Sequence, residues 1–242
     1  MAFSHESLWT RFFIVRFPLL LLVALTLSAC SSVTQDALTS VQLALQKPED
    51  VVLTNADIAA LPYSAMYVKR PDRAQVLVVM GFADGEGAQQ RLSWLSQGRQ
   101  TIVTGHGRVI RTQGLDSDLL AISALADDPL RCYSRMTNFQ VQANCANAWQ
   151  LAYDIEDNDQ QRSVSARAEL TYDAQRAHHL AYGTNQVETR LLTEQVYDER
   201  GDPLGTNLYW LEADGHVLKS EQMVIPGAEV TTFTQVKWIW RD

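Results

Sequence analysis

The chain has 242 residues, a formal net charge of −8 and 46% apolar residues. A chain of this length can form one sizeable hydrophobic core or two small ones. Its acidic balance argues against a nucleic-acid partner and against charge-driven binding to anionic membranes, because both surfaces are themselves negative.

The first feature in chain order is an apolar run over residues 17–32 that contains a cysteine near its end. Thirteen uncharged residues separate Arg16 from Cys30. A membrane-spanning helix needs about 20 residues. The shorter run has the size of the apolar region of a signal peptide, and Arg11 and Arg16 supply the basic flank before it. The sequence therefore predicts a signal peptide over residues 1–29.

Residues 27–30, Leu-Ser-Ala-Cys, resemble the lipobox of bacterial lipoproteins: a leucine, two small residues and a cysteine. In lipoproteins the cysteine thiol receives a diacylglyceryl group and the chain is cut just before it. We therefore expect Cys30 to be lipidated and to be the first residue of a mature chain over 30–242. The lipid then anchors the mature protein to a membrane. Ser31 stands where an aspartate would favour inner-membrane retention, so the expected location is the outer membrane, facing the periplasm. The alternative is a plain secretory signal with a cysteine nearby.

Two cysteines remain in the mature chain, Cys132 and Cys145. An even pair in an exported protein predicts a disulfide, and two buried free thiols are the alternative. Neither C-x-x-C nor H-x-x-x-H spacing is present, so the sequence predicts no metal site, and no motif predicts a cofactor.

An amphipathic helix is predicted over residues 34–46, because Ala37, Leu38, Val41, Ala44 and Leu45 recur at helical spacing. Pro48 ends it.

After Pro48 the pattern changes to short runs rich in β-branched and aromatic residues, separated by turn residues. Gly105-His106-Gly107 and Asp214-Gly215 predict tight hairpins, the second of type I′. The sequence therefore predicts a mainly β fold, an antiparallel meander that curls into a barrel or two packed sheets, with one N-terminal helix and a single domain over 30–242. The predicted strands lie at residues 62–70, 75–83, 90–96, 99–105, 108–112, 162–174, 185–199, 206–213, 216–225 and 230–240.

Few residues in the predicted strands suggest chemistry. His178 and His179 are neighbours in a strand and should point to opposite faces, one exposed and one half-buried. They could bind one metal ion together only if the strand bent, so no metal site is predicted there. The carboxylates within residues 153–161 form a charge run, most simply a hairpin tip, rather than an isolated acid pair. We therefore predict no catalytic residue. Flat aromatic faces stack on sugar rings, which makes three tryptophans candidate glycan contacts: Trp94, Trp149 and Trp210.

Several ordered segments over residues 61–130 resemble the YjbF/GfcB-type lipoproteins of group 4 capsule and exopolysaccharide operons. The segments that carry the resemblance are residues 61–67 (LPYSAMY), Gly81-Phe82, Trp94-Leu95-Ser96, Ile102-Val103-Thr104 with Gly107-Arg108, and Asp128-Pro129-Leu130. The resemblance implies a mostly β outer-membrane lipoprotein and assigns no catalytic residue.

The resemblance also implies partners: other polysaccharide-export proteins, including an outer-membrane β-barrel, and the polysaccharide itself as a further candidate. The function predicted first is a non-catalytic accessory in the secretion or assembly of exopolysaccharide, capsule or O-antigen. The alternatives are a stand-alone glycan-binding module and a periplasmic glycoside hydrolase.

Overall fold

Twelve antiparallel strands form one sheet in the computed structural model, which describes residues 49–85 and 89–239. The predicted signal peptide, Cys30 and the predicted helix over 34–46 lie outside the described residues. The strands are β1 (Ala65–Lys69), β2 (Val76–Asp84), β3 (Arg91–Ser96), β4 (Thr101–Gly105), β5 (Arg108–Gln113), β6 (Ser117–Ile122), β7 (Ala148–Asp157), β8 (Gln160–Tyr182), β9 (Asn185–Tyr197), β10 (Pro203–Leu211), β11 (Val217–Gln222) and β12 (Thr231–Lys237).

The strand order is β5-β4-β3-β2-β1-β12-β11-β10-β9-β8-β7-β6. The path of the strands thus begins with β1 in the middle of the sheet, leads to one edge at β5, crosses to the other edge at β6 and returns until β12 pairs with β1. This is the predicted antiparallel meander, and the sheet curls into a nearly closed barrel. The predicted mainly β fold is confirmed.

Strands β5 and β6 are neighbours in sequence but lie at opposite edges of the sheet, so the barrel closes where they meet. Side chains make the connection there. Thr112 Oγ1 on β5 donates to Asp118 Oδ1 on β6 at 2.8 Å, and the amide of Leu119 donates back to Thr112 Oγ1 at 2.9 Å. Asp118 also accepts from the amides of Gly114 and Leu115 in the connecting turn.

The core fills the inside of the barrel, because inward-facing side chains alternate with outward-facing ones along each strand. On β7 the buried members are Trp149, Leu151, Tyr153 and Ile155. This strand and β6 were not predicted. The acidic residues of 153–161 do include a hairpin tip, at residues 158–159, but Tyr153 and Ile155 belong to the core.

Within residues 49–85 and 89–239, short helical segments flank the strands: α1 (Asn55–Ala60), a 3-10 turn (Leu125–Asp127) and α2 (Leu130–Tyr133). The side chain of Thr54 caps α1 by accepting from the amide of Asp57, whose carboxylate accepts from the amide of Thr54 in return. Within the described residues, no helix is long and apolar enough to cross a membrane.

The predicted disulfide is present: Cys132 in α2 is bonded to Cys145 in the loop before β7, with the Cα atoms 5.6 Å apart. It closes the segment that links β6 to β7. That segment contains little regular structure, so the crosslink limits the conformations it can adopt when unfolded.

Candidate functional site: a cavity at one end of the barrel

A fully buried arginine, Arg108, stands at the start of β5, with a relative exposure of 2%. Its guanidinium forms a bidentate pair with Asp128, at 2.7 and 3.1 Å. It forms a second bidentate pair with Glu194 on β9, at 2.8 and 2.7 Å. The remaining N–H donates to the hydroxyl of Tyr209 at 3.1 Å. All five guanidinium donors are therefore used.

Further side chains complete this buried network around Glu194. Asn207 Nδ2 donates to Glu194 Oε2 at 2.7 Å, and Trp149 Nε1 donates to Glu194 Oε1 at 3.3 Å. The guanidinium carbon of Arg108 lies 5.0 Å from the centre of the Trp149 ring. We call Arg108, Asp128, Glu194, Trp149, Asn207 and Tyr209 the arginine network.

The electrostatics of the arginine network favour charged groups despite their burial. Burial alone would lower the pKa of Arg108, but the charges of Asp128 and Glu194 raise that pKa well above its ordinary value. Burial alone would raise the pKa of Glu194, but the charge and hydrogen bonds of Arg108 outweigh it and leave that pKa lowered. An ion pair this well satisfied offsets the cost of desolvating its members.

The arginine network holds the β4–β5 turn, which consists of His106 and Gly107. Both have positive φ, 52° and 86°, as a two-residue type I′ turn requires. Gln222 on β11 fixes the turn from the side, because its Nε2 donates to Gly107 O at 2.8 Å and its Oε1 accepts from the amide of Val109 at 2.9 Å. A side chain at Gly107 would collide with Val217, 2.4 Å from the position of a Cβ.

The β10–β11 turn approaches α2 in the same region. The amide of Gly215 donates to Glu212 O, and Gly215 alone in this turn has positive φ. The turn is therefore type I followed by a glycine bulge, not the predicted type I′. A Cβ at Gly215 would lie 2.2 Å from the carbonyl oxygen of Tyr133. Just after α2, Ser134 Oγ lies 2.9 Å from His106 Nδ1. The two turns and α2 thus form one packed rim.

Below this rim lies a cavity of about 330 Å³. Its walls come from strands on one side of the barrel and its mouth from the packed rim, where Asp214 and Arg135 are exposed. Its apolar lining includes Met66, Leu92, Trp94, Phe233 and Trp238. Its polar lining includes Gln90, Thr104, His106, Ser134, His216, Ser220 and Gln235.

His216 has the most unusual environment in this cavity. Its ring stacks at a tilt on Trp238, with the ring centres 4.7 Å apart. Burial lowers its pKa, an effect that Asp214 and a hydrogen bond with the Gln235 side chain partly oppose. Its Nε2 is buried without a hydrogen-bond partner. The imidazole is therefore neutral at pH 7, with one nitrogen unpaired.

The three tryptophans predicted as glycan contacts have different environments. Trp94 lines the cavity, is 2% exposed and donates to Thr104 Oγ1 at 2.9 Å. Trp149 is buried in the arginine network. Trp210 lies on the outer face of β10 beneath Lys219, whose Nζ is 4.4 Å from the ring centre. The structure thus brings only Trp94 of the three to the cavity and adds Trp238, which the sequence had not marked as a contact.

The other residues considered from sequence do not converge on a site. His178 is half-buried and His179 exposed, on the part of β8 that extends past β7. Asp154 and Asp159 are exposed on β7 and its hairpin tip. In residues 49–85 and 89–239, no three His, Cys, Asp or Glu side chains are grouped so that they could hold a metal ion.

Comparison with known proteins adds family information to this geometry. Residues 38–236 match the family described as "Group 4 capsule polysaccharide lipoprotein gfcB, YjbF". The chain is 29% identical over 205 residues to the uncharacterized lipoprotein YjbF of Escherichia coli K12, covering 85% of this chain and 90% of YjbF. It is 27% identical over 222 residues to the uncharacterized lipoprotein GfcB of the same strain, covering 91% and 98%.

A solved structure supports the fold. The crystal structure of the hypothetical lipoprotein YmcC from Escherichia coli K12 matches with a TM-score of 0.66 at 24% identity. The match covers 84% of this chain and 95% of that one. The resemblance predicted from residues 61–130 is confirmed and extends over most of the chain.

Proposed function

Because the chain belongs to this family of group 4 capsule polysaccharide lipoproteins, we propose that it is a non-catalytic accessory in the secretion or assembly of a surface polysaccharide. It acts from the periplasmic face of the outer membrane, held there by lipid on Cys30. The polymer is a capsule, an exopolysaccharide or an O-antigen. The observation that carries the proposal is the family match over residues 38–236, which spans nearly all of the barrel.

A role without catalysis is supported by how the charged groups of the barrel are used. Arg108, Asp128 and Glu194, the most strongly interacting charges, are buried and bonded to one another. Exposed acids such as Asp154 lie on the outer face of the sheet. A catalytic acid or base needs a polar group that is both perturbed and able to reach a substrate. The groups of the arginine network are perturbed but buried, and His216, which lines the cavity with a lowered pKa, is one group rather than the pair of carboxylates that glycoside hydrolysis uses. The saturated arginine network instead fits a rigid scaffold.

One edge of β8 offers backbone groups to which a partner protein could bind. Strand β7 pairs with β8 only as far as Glu169, whereas β8 continues to Tyr182 with β9 on its other side. In the part of the chain that the structure describes, no strand pairs with the outer edge of β8 over residues 171–182. Unpaired strand edges bind other chains through backbone hydrogen bonds. We propose that this edge meets another export protein, such as an outer-membrane β-barrel.

The proposal is tested by deleting the gene and measuring surface and secreted polysaccharide together with the intracellular precursor pool. We expect the exported polymer to fall while its synthesis continues. Complementation with the wild-type gene should restore export, and Cys30→Ala should not, because several acyl chains at about 0.8 kcal/mol per buried CH₂ provide the anchoring.

Controls separate an accessory from an enzyme. Asp154→Ala and Asp159→Ala change exposed carboxylates and should restore export in full. If either abolishes export in a protein that is folded and correctly localised, the hydrolase alternative gains support. If deletion leaves every surface glycan unchanged while the gene is expressed, the export role is wrong. Incorporation of labelled palmitate into Cys30→Ala at the wild-type level would contradict the anchor.

A further inference from the structure

We propose that the cavity at the end of the barrel binds a single neutral sugar ring. The inference rests on the proposed function, since it makes a unit of the exported polysaccharide the ligand of this site. It is carried by the size of the cavity, the composition of its walls and the hydrogen-bonding state of His216.

The size of the cavity limits the ligand. At about 330 Å³ it stands at the small end of ligand sites in proteins, which span roughly 300–1,000 Å³. A dinucleotide or an extended oligosaccharide would not fit inside it. One ring can enter, with the rest of a polymer remaining outside the mouth.

The walls combine flat aromatic surfaces with uncharged polar groups. Trp94, Phe233 and Trp238 line the cavity beside Thr104 and Gln235. A sugar ring has the matching character, because its C–H faces are apolar and its edge carries hydroxyls. Aromatic rings bury such faces, while amide and hydroxyl side chains pair with the edge. A purely apolar ligand would leave the polar lining unpaired, at a cost for each buried group.

His216 supplies a hydrogen-bonding nitrogen to the cavity. Its Nε2 is buried without a hydrogen-bond partner. The amide nitrogen of Gln235, which also lines the cavity, already donates to the carbonyl oxygens of Ala65 and Lys237, which leaves Gln235 Oε1 to accept. A half-buried, neutral imidazole donates or accepts at Nε2 according to its tautomer, and a sugar hydroxyl can take either role.

The charges near the cavity favour a neutral ligand over an acidic one. Arg135 and Asp214 are exposed at the mouth, and their charges are opposite. Lys219 also borders the cavity, but its Nζ is paired with Glu221 at 2.7 Å and lies over Trp210 on the outer face of the sheet. Arg108 lies outside the set of lining residues, and its donors are all used within the arginine network. A carboxylate or phosphate inside the cavity would find little compensation there.

The test uses the full-length lipoprotein in nanodiscs, labelled with 5-fluorotryptophan and observed by fluorine NMR. Glucose, galactose, N-acetylglucosamine and glucuronate are each titrated into the millimolar range. We expect at least one neutral sugar to shift the resonances of Trp94 and Trp238 and to leave that of Trp210 in place. Trp210 is the matched control, because its ring packs beneath a lysine on the outer face of the sheet.

Two variants sharpen the test. Trp238→Ala should weaken binding about tenfold, since an aromatic contact and its buried area are lost, whereas Trp210→Ala should leave binding unchanged. His216→Phe keeps a ring against Trp238 but removes the hydrogen-bonding nitrogens, so binding should weaken about fivefold. Urea denaturation of each variant shows whether the barrel is intact.

Several outcomes would overturn the inference: no neutral sugar shifting Trp94 or Trp238, an equal shift at Trp210, unchanged binding by Trp238→Ala, or glucuronate binding tightest. Export assays separate the two proposals. If deletion stops export but Trp238→Ala and His216→Phe both restore it fully, the sugar site is wrong and the proposed function stands. If sugars bind as expected but deletion changes no glycan, the proposed function is wrong.

Discussion

Replacing Arg108 by methionine should destabilise this protein more than any other single change to a charged residue. Methionine has a similar length and no charge, so the change leaves Asp128 and Glu194 buried without a counter-ion. Their side chains are 3% and 0% exposed, so water cannot solvate the two carboxylates in place of the lost guanidinium. Two carboxylates would then also repel each other across the vacated site.

The magnitude follows from the two broken ion pairs. Removing one partner of a buried ion pair costs about 3–5 kcal/mol, and Arg108 is the partner of two carboxylates. Native domains have a total stability of about 5–15 kcal/mol. For a domain of this size the loss lowers Tm by roughly 6–20 °C, at 2–4 °C per kcal/mol. Arg108→Lys keeps the charge but not the fork of five donors, so its loss should be intermediate.

The pH dependence of this loss has a definite sign. In the wild type, Arg108 holds the pKa of Glu194 below its ordinary value, so this carboxylate contributes stability above about pH 4.5 that is lost as the pH falls. Without Arg108, burial dominates and raises the pKa of Glu194. Lowering the pH from 7 to 5 then protonates Glu194 in the variant and removes its unpaired buried charge. The difference in unfolding free energy between the variant and the wild type therefore narrows.

Urea unfolding at constant m-value measures these effects with the disulfide intact. The triple variant Arg108→Met, Asp128→Asn, Glu194→Gln should recover much of the loss, because it removes the unpaired charges. A loss below about 1 kcal/mol for Arg108→Met, or a triple variant no more stable than the single one, would refute the reasoning.

Three further changes probe the cavity and its surroundings. Burial lowers the pKa of His216 below its ordinary 6.5, so stability is lost as the pH falls through that value. His216→Gln should therefore reduce the change in unfolding free energy between pH 7 and pH 5, as measured by urea denaturation. An unchanged pH dependence would contradict this. Replacing Cys132 and Cys145 by serine should cost roughly 3 kcal/mol, measured by Tm, and two alkylated thiols in freshly isolated protein would disprove the pairing. Gly215→Ala adds a clash with Tyr133 to the strain of positive φ and should cost more than roughly 1–3 kcal/mol of stability. The control Gly201→Ala has the same φ of 88° but lies in open space, so it should show the strain alone. Equal losses of stability in the two variants would count against the packed rim.

The fold was largely predictable from local patterns. Alternating apolar residues and tight turns identified most strands, because side chains in a strand point to opposite faces with a period of two. Strand β7 carried the same signal in Trp149, Leu151, Tyr153 and Ile155. The acids between and after those residues masked the signal. The nearly closed barrel depends on the pairing of β1 with β12, about 170 residues apart, which no local pattern specifies.

The cavity and the arginine network were less predictable. Arg108 and Asp128 appear in the segments that carry the family resemblance, yet neither residue alone predicts an ion pair, since charged residues in strands are usually exposed. Glu194 did leave a signal: it takes an inward position between Leu192 and Val196. His106 lies in the β4–β5 turn, and His216 directly follows the β10–β11 turn. Only the folded barrel brings these two turns together at the mouth of the cavity.

The stability of the barrel and the shape of the cavity are physically coupled. The arginine network joins the edge strand β5 to strands in the other half of the sheet, since Arg108 on β5 binds Glu194 on β9 and Tyr209 on β10. It therefore reinforces the closure that β5 and β6 make through the hydrogen bonds of the Thr112 side chain. The same Arg108 directly follows the turn that carries His106 at the cavity mouth. A change in the arginine network should consequently alter sugar binding as well as stability, whereas Trp238→Ala in the cavity lining should alter binding with a smaller effect on stability. That asymmetry is the behaviour expected when a rigid interior network holds a ligand site that it does not itself form.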